Sequence, residues 1–137
     1  MRMVCVMEIE TEELFVKKFI IKEKRNRVAY ELLSKKKRHN AFDSLICNID
    51  RTKIVADLTK TDVNDALCLI DKKYSLKEPC YILYDGEQDG CRMQLEQALN
   101  HFYYYGGSVA LLCGENLVFI KEEAGLWSSC ERLLLWD

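Results

Sequence analysis

Pro79-Cys80-Tyr81-Ile82-Leu83-Tyr84-Asp85-Gly86 opens the stretch that decides the fold, which runs on to Cys113. Cys80 to Tyr84 is a short apolar, aromatic-rich run behind the only proline and ahead of an Asp-Gly pair, the pattern of a buried strand. Asp85 to Gly90 reads as a loop. Leu95, Ala98, Leu99 and Phe102 then recur at i, i+3, i+4 and i+7, so one apolar stripe lies along a helix over 92–105 that Gly106-Gly107 can end. Val109 to Cys113 is a second apolar run. Strand, loop, helix, strand is the order of a βαβ unit, and the two strands are expected to pair in parallel with the helix packed across them.

Downstream, Gly114-Glu115-Asn116 is a compact turn signal before Leu117-Val118-Phe119-Ile120, so 108–113 and 117–121 are expected to form an antiparallel hairpin. Their apolar residues run on without polar alternation, which marks both as central strands. Lys121 to Ser129 reads as a surface loop anchored by Trp127, and Leu133 to Trp136 as a last edge strand. Upstream, Val63, Ala66, Leu67, Ile70 and Tyr74 share a stripe on a helix over 61–74 that Thr61 or Asp62 can cap, with Lys72-Lys73 at its negative end. Ile54-Val55-Ala56 is a short candidate strand.

The N-terminal section is helical. Thr11 is a candidate cap ahead of Glu12 and Glu13, and Phe15, Val16, Phe19 and Ile20 mark one face. Val28, Ala29, Leu32 and Leu33 fall well away from that face at 3.6 residues per turn, which requires a break near Lys22 to Asn26. Ala41, Phe42, Leu45 and Ile46 mark a third helix, with Asn40 near its start. Val4 to Ile9 reads as a first strand or a loose leader. The expected architecture is α/β: one domain over 1–137 with a single mixed sheet of four to six strands, helices 61–74 and 92–105 packed on it, and the helical N-terminal section.

At 137 residues, 49% of them hydrophobic, the chain can bury a sizeable core without metals or disulfides. No run reaches the ~18 apolar residues that span a bilayer, and the leader meets Glu8 and Glu10 too soon for a signal-peptide core, so a soluble cytoplasmic protein with no membrane role is expected. The seven cysteines form no CxxC pair, and several sit in apolar runs, which reads as free buried thiols in a reducing compartment.

Charge is divided along the chain. Residues 1–60 carry 14 Lys/Arg against 9 Asp/Glu, or +5, and residues 61–137 carry 6 against 13, or −7. The densest run is Lys17, Lys18, Lys22, Lys24, Arg25, Arg27, Lys35, Lys36, Lys37 and Arg38, opposed only by Glu23 and Glu31. Its simplest reading is a solvated helical face balanced by the acidic half of the molecule. The functional alternative is nucleic-acid binding through Lys17, Lys18, Lys24, Arg25, Arg27, Lys35, Lys36, Lys37 and Arg38, with phosphate contacts and no base readout. A pI of 5.8 and the absence of a reading motif weigh against a dedicated binder. Tyr103-Tyr104-Tyr105 could stack on bases, though on a helix the three point in different directions.

Asp85, Glu87, Asp89, Gly90 and Glu96 stand at positions 1, 3, 5, 6 and 12 of a calcium loop, because a hard cation wants many oxygens around it. Glu at position 3 and the lack of an entering helix depart from that pattern, and an acidic strand-to-helix turn accounts for the same residues. His39 and His101 belong to no Ser, Cys or Asp motif, and neither GxGxxG nor GxxxxGK[ST] occurs. No cofactor, metal or catalytic group is expected, and the chain does not read as an enzyme.

The succession Phe15-Val16-Lys17-Lys18-Phe19-Ile20, Lys24-Arg25-Asn26-Arg27, Glu31-Leu32-Leu33 and Lys36-Lys37-Arg38-His39, with Cys80-Tyr81-Ile82 and Asp85-Gly86 further on, resembles a group of short uncharacterised bacterial proteins. The resemblance implies a freely standing bacterial domain and carries over no functional residue. The leading functional expectation is a small protein-binding regulator of the immunity or antitoxin kind. Its acidic loop residues Asp85, Glu87, Asp89, Glu115, Glu122 and Glu123 would meet a basic partner, where complementary charge speeds encounter.

Overall fold

The computed structural model describes residues 4–123 and 130–137. Along the chain these form β1 (Val4–Cys5), α1 (Ile9–Phe19), α2 (Arg25–Leu33), α3 (Arg38–Asp43), α4 (Leu45–Asn48), β2 (Ile54–Asp57), α5 (Val63–Asp71), β3 (Pro79–Tyr84), β4 (Cys91–Gln94), α6 (Leu95–Phe102), β5 (Val109–Cys113), β6 (Leu117–Lys121) and β7 (Arg132–Trp136). The strands make one seven-stranded sheet in the order β1-β4-β3-β5-β6-β7-β2. The α/β architecture with helices packed on a single sheet is the expected one; the sheet is larger than expected.

Alternation along the strands builds two cores. Tyr81, Leu83, Ala110, Leu112, Val118, Ile120, Leu133 and Leu135 face one side, where Phe15, Val16, Phe19, Val28, Leu32, Phe42 and Leu45 of α1–α4 cover them. Ile82, Tyr84, Leu111, Phe119 and Leu134 face the other, under Ala66, Ile70, Leu95, Leu99 and Phe102 of α5 and α6. A strand covered on both faces has no polar side to show, which is why β5 and β6 read as unbroken apolar runs.

Among the described residues every pairing is antiparallel, so the mixed sheet and the parallel βαβ reading of 80–113 are both corrected: β3 and β5 run opposite ways, with Ile82 beside Leu111. The cause is β4. Residues 91–94 leave the turn as a strand paired back on β3, Tyr81 beside Arg92, and carry the chain to the end where β3 began. Helix α6 therefore starts at Leu95, whose N–H donates to the Glu78 carbonyl at 2.9 Å, and returns the chain so that β5 enters reversed. Gly90 makes the turn feasible, since its φ of 78° is backbone that a side chain disfavours.

The N-terminal break occurs as expected. Helix α1 stops at Phe19, Ile20 bridges Ile49, and a 3-10 turn at Lys22–Lys24 leads into α2 on a new face. The residue ahead of α1 is Glu8 rather than Thr11, whose hydroxyl donates to Glu8 Oε1 at 2.8 Å. The third helix is split at Ser44 into α3 and α4, and Asn40 lies inside α3. Asp62 caps α5, accepting from the Asp65 N–H at 2.9 Å. Strand β7 is not an edge: it lies between β6 and β2, and β2 is the edge. Trp127 lies outside the described residues. The expectation of free thiols holds for five cysteines, two of them, Cys80 and Cys113, buried, whereas Cys5 and Cys91 form a disulfide that ties β1 to β4. Burial pushes the Cys80 thiol up to about 12, which makes it inert as a nucleophile.

Candidate functional site at the acidic end of the sheet

Strands β3 and β6 end, and β5 and β7 begin, at the same end of the sheet, so the 85–90 turn, the 105–108 connection and Glu122-Glu123 are brought together there. A buried ion network fixes this end. Arg38, at the start of α3, donates from Nη1 and Nη2 to the two carboxylate oxygens of Glu12 at 2.7 and 2.8 Å, and from Nε to Asp89 Oδ2 at 2.7 Å. Its Nη1 also reaches the Leu32 carbonyl at 2.7 Å, and the Tyr81 hydroxyl donates to Glu12 Oε2 at 2.5 Å. The side chains of Arg38, Glu12 and Asp89 are only 11%, 8% and 12% exposed, so they act on one another through little water.

Those contacts set the titration behaviour. Burial holds the Asp89 carboxyl above its ordinary value, against the lowering pull of Arg38. Arg38 is desolvated, but hydrogen bonds to Glu12 and Asp89 outweigh that and raise it further above the physiological range. Burial and the bond to Glu12 push the Tyr81 hydroxyl upward, so it stays a neutral donor.

Held through Arg38, α3 lays Phe42 and Asp43 beside the 85–90 turn. Phe42, Asp43, Asp85, Tyr105, Gly107, Ser108 and Glu123 line a cavity of about 160 Å³. The Tyr105 ring is set edge-on to Tyr84 at 5.6 Å and to Phe102 at 5.7 Å. Tyr84 is pinned in turn by Gln88, donating to Oε1 at 2.9 Å and accepting from its N–H at 3.2 Å. Lys121 is buried, with its ammonium donating to the carbonyls of Gly107 (3.2 Å) and Glu122 (2.9 Å), which ties two of the converging loops together.

The six acidic candidates divide. Asp85 and Glu123 line the cavity and Glu87 is exposed on the same turn. Glu122 is half-buried and accepts from the Glu131 N–H at 2.9 Å, and Asp89 is spent on Arg38. Glu115 sits in the β5–β6 turn at the opposite end of the sheet. Asp43 was not foreseen: it lies in the basic half, and nothing local distinguishes it from any polar residue closing a helix.

The calcium reading of 85–96 does not survive the fold. Strand β4 carries Glu96 to the far end of the β3–β4 pair, away from Asp85, and Asp89 faces Arg38. Among the described residues no group of three or more His, Cys, Asp or Glu is placed to hold a metal ion. His39 and His101 are both exposed.

The basic run is not one surface. Lys18 donates to the Glu115 carbonyl and Asn116 Oδ1 at 3.1 and 3.0 Å, Arg25 to the Ile20 carbonyl at 3.0 Å, and Arg38 is internal. Arg27 lies 3.5 Å from Glu31, and Lys24 is half-buried, whereas Lys17, Lys35, Lys36 and Lys37 are exposed. Of the three consecutive tyrosines Tyr103 is buried while Tyr104 and Tyr105 are exposed, so the three do not form one stacking face. Compared with protein-family models, curated proteins and solved structures, the chain finds no match.

Proposed function

We propose that this chain is a small non-catalytic protein-binding regulator from a bacterium, of the immunity or antitoxin kind, whose acidic sheet end covers a basic partner. The observation that carries the reading is the convergence of Asp43, Asp85 and Glu123 around Tyr105 on one concave surface, with Glu87 beside it. Carboxylates from three separate segments give a field that draws a cationic patch, and a tyrosine held by ring packing gives an anchor that loses little entropy on binding. The dispersal of the basic run leaves fewer free cations for the nucleic-acid alternative than the sequence count suggests. Among the described residues no helix is long and apolar enough to cross a membrane.

The test is capture from an extract of the bacterial host with wild-type bait and with Asp43→Lys/Asp85→Lys/Glu123→Lys, alongside titration of labelled DNA and RNA at ~50 mM salt. A basic protein retained by the wild type, released as salt rises and lost on charge reversal, is the expected result. An unchanged capture pattern refutes the assignment of this surface. Nucleic-acid binding that weakens when Lys35, Lys36 and Lys37 are made Glu replaces the reading with its rival.

A further inference from the structure

Of the seven cysteines five stay thiols, with Cys47 and Cys68 exposed among them. Free thiols in that number suit a reducing compartment, where a disulfide is as a rule transient and redox-sensing rather than a permanent staple. The one bond that forms joins two residues that stand opposite each other on β1 and β4, Cys5, which is exposed, and Cys91, which is fully buried. A reductant therefore meets the bond at the Cys5 sulfur, while that of Cys91 is shielded.

What the bond holds is a short strap, residues 4–7. Strand β1 pairs with β4 at two positions only, and the side chains of Val6 and Met7 stay largely exposed. The neighbouring ion pair joins Arg92 and Glu8 side chains that are 34% and 30% exposed, where water leaves little of its attraction. Covalent closure is thus the main tie of the strap to the sheet. Behind it the chain is fastened independently. The Glu8 N–H donates to the Tyr81 hydroxyl at 2.9 Å and the Glu8 carbonyl accepts from the Glu12 N–H at 3.0 Å, so release of the strap stops at Glu8. In front of it lies the 85–90 turn. Met7 packs on Gly90, where a Cβ would stand 2.7 Å from Met7 Sδ, the Gly90 N–H donates to the Ile82 carbonyl at 2.8 Å, and the Cys91 N–H donates to the Gln88 carbonyl at 3.0 Å. Arg38 holds this turn from one direction through Asp89, and the strap holds it from another through Met7 and Cys91.

We propose that the Cys5–Cys91 bond is a reversible redox latch: oxidised, it fastens residues 4–7 over β4 and stiffens the 85–90 turn, and reduced, it frees the strap and lets the turn fluctuate. A dithiol opens it. One thiolate of the reductant attacks Cys5 Sγ, the Cys91 sulfur departs and takes up a proton, and the second thiol then displaces Cys5 as a thiol. The reductant's two protons end on Cys5 and Cys91 and the reductant ends as a disulfide; a disulfide oxidant closes the latch by the reverse sequence. The turn carries Asp85 and Glu87, so the oxidised form presents both carboxylates in fixed positions and takes a basic partner more tightly, a consequence that rests on the acidic-surface reading above.

The experiment uses the whole chain, 15N-labelled, with and without dithiothreitol near neutral pH, read by maleimide labelling and by amide hydrogen exchange. Reduction should open Cys5 to the maleimide and speed exchange at Gly90 and Cys91 by roughly tenfold or more, with Leu111 and Phe119 in the centre of the sheet unchanged. Cys5→Ser should show the faster exchange from the start and ignore dithiothreitol. Exchange at Gly90 and Cys91 that is the same in both states overturns the proposal, as does a Cys5 that stays closed to the maleimide under dithiothreitol. Acceleration that reaches Leu111 and Phe119 equally overturns it too, since the bond is then a staple of the whole fold. None of these readings needs a partner, so the latch and the acidic-surface reading fail separately. With a captured partner in hand, oxidised bait should hold it roughly threefold or more tighter than reduced bait, and equal retention overturns the regulatory role.

Discussion

Replacing Arg38 by methionine removes the one cation between two carboxylates, Glu12 and Asp89, whose side chains are 8% and 12% exposed. Methionine keeps most of the aliphatic volume, so the cost comes from the charges left behind. Breaking a buried ion pair by removing one partner costs about 3–5 kcal/mol, because the survivor stays desolvated. A domain of this size is stable by ~5–15 kcal/mol in all, and the melting temperature should fall by roughly 10–20 °C. The loss depends on pH in a fixed direction. Asp89 already has its carboxyl raised by burial, and without Arg38 it rises further. A carboxyl raised in the folded state favours folding below its unfolded value, ~3.9, and that advantage disappears as pH climbs through the folded value. The deficit of Arg38→Met against wild type should therefore be full at pH 7 and smaller at pH 4.5. Urea unfolding followed by circular dichroism at both pH values reads it directly, and Arg38→Met/Glu12→Gln/Asp89→Asn should recover most of the loss. A deficit under ~1 kcal/mol at pH 7, or one that does not shrink on acidification, would refute the assignment of a buried network.

Tyr103 is buried with its hydroxyl 2.6 Å from the Thr61 carbonyl and 3.0 Å from that of Leu58, which secures the connection between β2 and α5. Tyr103→Phe should cost about 1–2 kcal/mol in urea unfolding, by leaving a buried carbonyl unmet, and a neutral effect would mean that water satisfies it. Joining Cys5 to Cys91 closes a loop of sequence separation 86, for which chain entropy sets an upper limit of ~4–5 kcal/mol. Because β1 pairs at only two positions, the oxidised protein should lose less than that on reduction, and Cys5→Ser should make its stability indifferent to reductant. Equal midpoints for the wild type with and without dithiothreitol would show the bond to be unformed or without consequence.

Which parts of this fold could be read in advance follows from how each element announces itself. Helix α5 carries its stripe and its Asp62 cap in adjacent residues, and β5 and β6 carry theirs in unbroken apolar runs, so local pattern suffices. Strand β4 is four residues, Cys-Arg-Met-Gln, with no alternation long enough to register, yet it decides whether β3 and β5 run parallel. Strand β7 reads as an edge because its outer neighbour β2 is supplied from 76 to 81 positions earlier in the chain, which no local pattern reveals. The acidic end was half legible. Asp85, Glu87 and Glu123 stand out as loop acids, but charge counting does not reveal that Asp89 turns inward to Arg38, 51 positions away, or that Asp43 joins from the basic half.

The order of strands in the sheet also bears on how the chain is made. Strands β3 to β6 are neighbours in sequence and in space apart from α6, so residues 79–121 can close on themselves as soon as they leave the ribosome. Strand β2 emerges long before β7, the strand it pairs with, and at ~5–20 residues per second it waits roughly 4–15 s as an unpaired ribbon. Arg38 likewise waits for Asp89. Until β3 to β6 have emerged, the helices α1 to α4 have no sheet to cover, and their apolar side chains stand open to solvent and to chaperones. Both edge strands, β1 and β2, are thus made before any strand they pair with, and the partner of β2 is the last strand of all.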